Sequence, residues 1–252
     1  MATISEIRRE LSETHPENYP AFIEKYGSDS RSGVLRLVDS CCRHIEQAQR
    51  ETERLERMLV YEKKYYAGCD YICGIDEAGR GPLAGPVAAG AVILPKGLKI
   101  PYLNDSKQLS EKRREELYDI IMEQALAVGV GIVSPERIDE INILQATYEA
   151  MRQAVDALKF RPQILLNDAV IIPQIDIPQE KIIKGDAKSL SIAAASVIAK
   201  VTRDRMMKAY HEIYPEYGFD KHKGYGSKEH IEKIQTLGPC PIHRRSFITH
   251  FI

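Results

Sequence analysis

The stretch YICGIDEAGRGPLAGPV, residues 71–87, places two adjacent carboxylates, Asp76 and Glu77, directly before a run of glycines and prolines. YICGI has the apolar, β-branched composition of a strand, and AAGAVIL, residues 88–94, predicts a second strand after a Gly/Pro-rich turn. The chemical question is what function two neighbouring acids have next to a glycine-rich backbone segment that carries few side chains.

Strands alternate with helices in the residues that follow. Ser110 is a candidate N-cap for a helix through residues 111–127, VGVGIV predicts a strand, and Ser134-Pro135 predicts a short helix before a longer one near residues 143–160. QILLND and KIIKG predict two more strands, and a long helix follows from Ala187. This alternation predicts an α/β domain with a mixed sheet flanked by helices.

Residues 1 to about 66 differ, because their pattern is helical throughout. Thr3 and Glu6 form a capping-box pattern. An apolar seam that begins at Val34 and ends at Leu59 predicts one long amphipathic helix, with Gly68 near its end. We expect this seam to pack on the main domain, a partner helix or a second copy of itself. The predicted division is a helical N-terminal extension, 1–68, and an α/β domain, 69–252.

Composition limits the classes of function. Across 252 residues, 35 Lys and Arg stand against 36 Asp and Glu, so net charge does not indicate a nucleic-acid partner. Residues 188–252, however, hold 11 Lys or Arg against 6 Asp or Glu, which suggests either a patch for an anionic partner or an uneven solvated surface. Five cysteines without a CxxC pair favour reduced thiols over disulfides or zinc. With no signal peptide or membrane span in the sequence, we expect a soluble cytoplasmic protein.

Four acids are candidates for one site. Asp76 and Glu77 point to opposite faces if their strand continues, so either the strand ends at Asp76, or Glu77 contributes through its backbone carbonyl or a bent path. Asp168 ends QILLND and Asp186 follows KIIKG, so the topology would gather them at one edge of the sheet. Carboxylates without histidine or thiolate partners suit Mg²⁺ or Mn²⁺, although a single acid at a strand end more often caps a turn.

The glycine spacing in GRGPLAG superficially matches a dinucleotide loop, but Pro82 and Pro86 interrupt it and a strand follows instead of a helix. Two interpretations remain. The glycines supply a tight turn that needs positive φ, or they form a backbone surface for a sugar edge, with Arg80 available for phosphate.

IDEAGRGPLAGPV resembles the signature of type 2 ribonucleases H, specifically the bacterial ribonuclease HII family. The resemblance covers roughly residues 70–250 in order, through NDSKQLS, IDEIN, LLNDA, IIKGDAKSLSIAAASVIAKVTRDR, HKGYGSKEH and PIHRRSF. It implies that residues 69–252 are a ribonuclease H-like catalytic domain that includes a C-terminal helical substrate-binding region. It also implies cleavage, with two Mg²⁺ or Mn²⁺ ions, of RNA in RNA/DNA hybrids and on the 5′ side of single ribonucleotides in duplex DNA, leaving a 3′-hydroxyl and a 5′-phosphate.

The resemblance also assigns roles to residues. It implies that Asp76, Glu77, Asp168 and Asp186 bind metal and are catalytic. Gly79, Arg80 and Gly81 match the element that reads the ribose 2′-OH and nearby phosphate, Lys107 a phosphate contact, and Tyr225 the tyrosine that stacks on the sugar after the ribonucleotide. Nucleic acid is the implied partner, and Asn167 departs from the usual Val or Ile.

Other interpretations stay open from the residues alone. Tyr225 would be a core aromatic, Arg80 would pair with a local acid, and Arg203 would extend a basic face or line a solvated helix side, while His243 is predicted to be structural. At the level of function, the alternatives are a catalytically silent binder of hybrid duplexes and a nucleotide-dependent oxidoreductase. The four acids disfavour the first alternative, and the prolines of the glycine loop disfavour the second.

Overall fold

A computed structural model describes residues 2–252. The chain divides into two compact units, Met1–Glu56 and Arg57–Ile252. The helices are α1 Ile4–Glu13, α2 Tyr19–Tyr26, α3 Ser32–Met58, α4 Val60–Tyr65, α5 Glu111–Gln124, α6 Pro135–Asp156, α7 Leu190–Ile213, α8 Phe219–His222, α9 Lys228–Leu237 and α10 Arg245–Ile248. The strands are β1 Ile72–Ala78, β2 Val87–Ile93, β3 Ala127–Val133, β4 Ile164–Asp168 and β5 Gln179–Ile182.

The N-terminal unit has its own apolar core. The predicted capping box at Thr3 and Glu6 is present and starts α1. The first part of the α3 seam is buried with side chains of α1 and α2, in a group formed by Ile7, Phe22, Val34, Val38 and Cys41. Within this unit the seam therefore packs on its own chain.

The long helix predicted from Val34 is wrong in one respect, because it breaks at Leu59. Leu59 adopts φ −94° and ψ 3°, and α4 begins at the next residue. Tyr61, Tyr65 and Tyr66, on or just after α4, pack against an apolar group that includes Ile72 and Ile192. The break lets this short helix join the core of the larger unit.

The five strands form one mixed sheet in the order β3-β2-β1-β4-β5. The pairs β1/β2 and β2/β3 are antiparallel, and β1/β4 and β4/β5 are parallel. The predicted α/β fold class is confirmed. The expected short and long helices after Ser134 are also present, since α6 contains a non-helical residue, Asn142, with φ 66°.

Helices cover both faces of the sheet, and glycines in the strands let them approach closely. A Cβ added at Gly90 would lie 2.4 Å from the carbonyl oxygen of Ala195 in α7. On the other face, a Cβ at Gly131 would lie 1.9 Å from the carbonyl oxygen of Ala150 in α6. α7 is consequently a central helix, and residues 190–199 are all buried.

Asn167 is accommodated inside the sheet. It is fully buried on β4, and its amide nitrogen donates to Gln179 Oε1 at 2.7 Å. The amide nitrogen thus has a polar partner on β5, whereas the buried Oδ1 has no hydrogen-bond partner among the described residues.

Candidate active site

β1 carries the first two acids of the site. The strand continues through Ala78, so the expectation that it ends at Asp76 is wrong. Antiparallel pairing with β2, which places Asp76 opposite Gly90 and Glu77 opposite Ala89, keeps both residues extended. By strand alternation Asp76 lies on the α7 side and Glu77 on the other.

Asp168 and Asp186 lie beyond the next strand of the sheet. Asp168 is the last residue of β4, which pairs with β1, and its Oδ1 accepts a hydrogen bond from the Gly185 N–H at 2.6 Å. The predicted strand KIIKG ends earlier, at Ile182, so Asp186 lies in a 3₁₀ turn, Gly185–Ala187. The Asp168 hydrogen bond holds this turn beside the end of β4.

Burial and mutual repulsion act on the two acids of β1. Asp76 is 2% exposed, and burial, repulsion from Glu77 and repulsion from Asp168 raise its pKa well above the ordinary value, although a hydrogen bond with the Ser196 side chain opposes them. Burial also raises the pKa of Glu77, against the opposing effect of Arg80. Such a group of repelling acids is typical of a functional site.

Lys107 faces the acids. Partial burial lowers the pKa of this lysine, but the attraction of four carboxylates outweighs burial and raises it. Those carboxylates belong to Asp76, Asp105, Asp168 and Asp186. Its Nζ lies 3.7 Å from Asp186 Oδ2, while burial, Asp105 and Asp168 raise the pKa of Asp186. The predicted site lysine is therefore beside the predicted acids.

The donor set suits a hard cation, since carboxylate oxygens are the ligands that Mg²⁺ and Mn²⁺ prefer. Within residues 2–252, however, no three His, Cys, Asp or Glu side chains are grouped so that they hold one metal ion. Glu77 pairs with Arg80, Asp168 with the Gly185 amide, and Asp186 with Lys107. Asp76 Oδ2 is buried and has no hydrogen-bond partner in the described chain. The residues fit a cation chemically, and Asp76 Oδ2 is the oxygen among these acids that is buried without a donor from the described chain.

The glycine loop, residues 79–86, connects β1 to β2 beside these acids. Gly79 and Gly85 have φ of +94° and +85°, so the interpretation that they supply positive φ is confirmed. Gly81 has open space around an added Cβ. Arg80 Nη1 lies 3.3 Å from Glu77 Oε1, so the interpretation of a pair with a local acid is also confirmed.

Tyr225 is not a core aromatic, because 44% of it is exposed. Lys200 Nζ and Arg203 Cζ lie 5.9 and 5.8 Å from the centre of its ring. The residues just before it are held in a turn in which Lys223 has φ 51° and Gly224 φ 84°. Backbone strain of this kind is often retained at ligand-binding segments.

Two residues beside the loop escaped the sequence-based interpretation. Arg203 was expected on a basic face or a solvated helix side, which is wrong, because Arg203 and Arg244 are both fully buried. A signal existed for Arg203, since it lies four residues from Ala199 and from Met207 on a buried stripe of α7. His243 is buried and hydrogen-bonded to His230, Nε2 to Nε2, at 3.0 Å.

Comparison with known families gives the chain's membership. The family model of ribonuclease HII matches residues 73–250, and that of the ribonuclease HII N-terminal domain matches residues 3–66. The chain belongs to the ribonuclease HII family. It is therefore a ribonuclease H, a nuclease that acts on RNA in RNA/DNA hybrids.

Bacterial relatives cover nearly the whole chain. Ribonuclease HII of Lachnoclostridium phytofermentans is 57% identical over 97% of this chain and 96% of its own length. Ribonuclease HII of Clostridioides difficile is 50% identical over 99% of this chain and 98% of its own. The N-terminal helices are thus part of the aligned length in these relatives.

Solved structures share the fold. The ribonuclease H2 of Pyrococcus horikoshii matches with a TM-score of 0.57 and 30% identity, over 70% of this chain and 93% of that chain. Archaeoglobus fulgidus RNase HII, solved in complex with PCNA, matches with a TM-score of 0.57 and 28% identity, over 69% of this chain and 94% of that chain. These matches confirm the predicted ribonuclease H-like sheet.

The structure also bears on membranes. Among the helices formed by residues 2–252, none combines the length and the apolar character that a membrane span needs.

Proposed function

We propose that the protein hydrolyses the phosphodiester on the 5′ side of a ribonucleotide, both in RNA/DNA hybrids and at single ribonucleotides in duplex DNA. The products are a 3′-hydroxyl and a 5′-phosphate. The attacking group is water, since the proposed reaction needs no nucleophile from the chain.

The four acids Asp76, Glu77, Asp168 and Asp186 would hold two divalent cations, Mg²⁺ or Mn²⁺. When bound, such a pair supplies an activated water and stabilises the leaving oxygen in an in-line displacement. The ribonuclease HIII called Bst-RNase HIII was solved in complex with Mn²⁺, but at 18% identity its likeness to this chain is one of fold. The donor chemistry of the four acids is the support from this chain itself.

The chain's own residues would recognise the substrate. The backbone of Gly79, Arg80 and Gly81 would test for the 2′-OH, the group that distinguishes RNA from DNA. The Arg80 guanidinium, 44% exposed, and the Lys107 ammonium, 71% exposed, would contact phosphates. Tyr225, exposed beside the loop, would stack on the sugar that follows the ribonucleotide.

This proposal rests on one observation. Asp76 Oδ2 is buried without a hydrogen-bond partner in the described chain, and Glu77 and Asp168 repel the Asp76 carboxylate. A site that only bound duplexes would gain nothing from acids facing phosphate, because they would repel it. A dinucleotide loop needs a helix at its end, and here residues 79–86 lead into β2.

The test is a labelled DNA duplex that carries one ribonucleotide, incubated with the protein and Mg²⁺. Asp76→Asn should remove nicking because it removes one carboxylate charge from the site. We expect a loss of at least about a hundredfold in kcat/KM, while the Kd for the duplex, measured in the presence of a chelator, stays within about threefold of wild type.

Asp156→Asn is the matched control, because Asp156 is an exposed acid at the last residue of α6 and takes no part in the ion pairs and hydrogen bonds described for the four acids. It should nick at the wild-type rate. An unchanged rate in Asp76→Asn would remove Asp76 from the reaction.

A further inference from the structure

Two guanidinium groups are buried beneath the glycine loop. Arg203 on α7 and Arg244 just before α10 each have 0% relative exposure. Burying a charge is costly unless it is paired, and in the described chain neither group forms an ion pair, since Asp204 pairs with Lys200 and Arg114. Burial lowers the pKa of both arginines.

Instead of carboxylates, the two arginines bind carbonyl oxygens of the loop. The side chain of Arg244 donates to Gly79, Arg80, Pro82 and Gly85, its backbone N–H to Leu83, and the side chain of Arg203 to Ala84 and Pro86. Of the carbonyl oxygens in residues 79–86, only that of Gly81 lacks a bond to either arginine among the described contacts. The two arginines therefore fix nearly the whole path of the loop.

Arg203 also reaches the segment that carries Tyr225. Its Nη1 donates to the Lys223 carbonyl at 2.9 Å, and its guanidinium lies beneath the Tyr225 ring, 5.8 Å from the centre. The Leu83 N–H donates to the Gly224 carbonyl at 2.8 Å, so the loop and this segment also touch directly. Arg203 is hydrogen-bonded to both the glycine loop and the segment that carries Tyr225.

The glycines of the loop leave room for this guanidinium. A Cβ at Gly79 would lie 2.1 Å from Arg203 Nε, and one at Gly85 would lie 2.2 Å from Met207 Sδ and 3.3 Å from Arg203 Nη2. The glycine spacing of the loop thus has a packing reason besides positive φ.

We propose that Arg203 and Arg244 are positioning residues for ribonucleotide recognition. Arg244 holds residues 79–86 in their path, and Arg203 fixes that loop relative to residues 223–225, so that the 2′-OH and the following sugar are read at a set distance. This inference rests on the proposed function, because it concerns the same substrate contacts.

The roles proposed for Arg203 and Arg244 predict different losses of kcat/KM on the two kinds of substrate. A long RNA/DNA hybrid offers a 2′-OH at every step, so it tolerates a shift of the Tyr225 segment relative to the loop. A single ribonucleotide in DNA offers one 2′-OH and one following deoxyribose, and it needs both segments in register. Arg203→Lys keeps the charge and loses the planar set of donors. It should lower kcat/KM on the single-ribonucleotide duplex by about a hundredfold, which is the scale of a small misplacement of the substrate. On the hybrid it should lower kcat/KM by only about tenfold.

Arg244→Lys should instead lower kcat/KM on both substrates together, since it frees the loop itself. Both variants are assayed at a temperature at which circular dichroism shows them folded, with the Kd for an all-DNA duplex as a measure of general binding. The controls are Arg205→Lys on the same helix, an exposed residue paired with Glu115, and Arg245→Lys next to Arg244. Both controls should keep wild-type kcat/KM on both substrates.

Should Arg203→Lys not fold, Gly224→Ala gives the same test, because its added Cβ would lie 2.4 Å from the Ala84 carbonyl oxygen and would push residues 223–225 away from the loop without removing either guanidinium. Equal losses on the two substrates, or no loss, in the Arg203 or Gly224 variant would overturn the role of Arg203. A wild-type protein that nicks neither substrate would instead contradict the proposed function.

Discussion

At the scale of single residues, the identity of a side chain shows what chemistry it offers but not what surrounds it. Asp76 and Asp168 are recognisable as candidates from sequence only as members of a set, because several apolar strands that each lead into an acid, beside a run of glycines, favour a shared site over separate turn caps. Arg203 lies four residues from Ala199 and from Met207, and this spacing indicates that it shares their face of the helix. That this face meets the glycine loop depends on how α7 crosses the sheet, which no local pattern records.

Gly90 gives a residue-scale prediction. Its added Cβ would meet the carbonyl oxygen of Ala195, and the backbone of a central helix cannot move aside as a side chain can. Gly90→Ala should lower the free energy of unfolding by about 1–3 kcal/mol, measured by urea denaturation. Gly68→Ala is the control, since nothing lies within 4 Å of its added Cβ, and it should change that free energy by at most about 1 kcal/mol.

At the scale of elements, α4 shows how a short helix stabilises another. Glu62 is buried, and one oxygen, Oε1, accepts hydrogen bonds from Ser189 Oγ, Ser191 N–H and Ser191 Oγ at 2.6, 3.0 and 2.7 Å. These groups belong to the first turn of α7, where a carboxylate is favoured by the helix dipole. Asp186 lies three residues before Ser189, so Glu62 stabilises the chain next to the proposed site.

Glu62→Ala should therefore lower the free energy of unfolding by about 1–3 kcal/mol, because it leaves buried donors of α7 without an acceptor. The loss is measured by thermal and urea unfolding. Lys64→Ala on the same helix removes an exposed pair with Glu180 and should cost at most about 1 kcal/mol. Equal losses in the two variants would contradict the role of Glu62.

At the scale of the whole molecule, opposing titrations decide how stability depends on pH. His230 and His243 are buried and hydrogen-bonded to each other. The His222 ring stacks on His230, and Cys240 Sγ is hydrogen-bonded to His243 Nδ1. Burial lowers the pKa of both His230 and His243 to about 4. An unfolded chain would bind protons on these rings near pH 6.5. Their contribution to stability is present above that pH and is lost as the pH falls to about 4.

Asp76 and Glu77 act in the opposite direction, because their folded pKa values are raised and their contribution grows as the pH falls. The histidine contribution is isolated by comparing wild type with His230→Gln. The difference in free energy of unfolding between them should shrink from pH 7 to pH 4, at about 1.4 kcal/mol per unit of pKa shift removed. His15→Gln, at an exposed site, should show a constant difference from wild type. A constant difference for His230→Gln would rule out the buried pair as a titrating element.

The N-terminal helices also belong to this scale. Their family model shows that they are a recognised part of ribonuclease HII chains, and the division of this chain near residue 68 stays a prediction. Docking of these helices on the catalytic region or on a partner likewise stays a prediction.

The sequence by itself determined the α/β class, the helical N-terminal region and the family, because strand and helix periodicity and the IDEAGRGPLAGPV signature are local; it also predicted the four acids as site residues, which stays a prediction. Only the tertiary structure decided that β1 runs on past Glu77, that the long helix breaks at Leu59, and that Arg203 and Arg244 lie under the glycine loop. The physical reason is that burial, hydrogen-bond partners and charge interactions arise between residues such as Gly79 and Arg244, which are far apart in the chain and meet only after the sheet and α7 have packed.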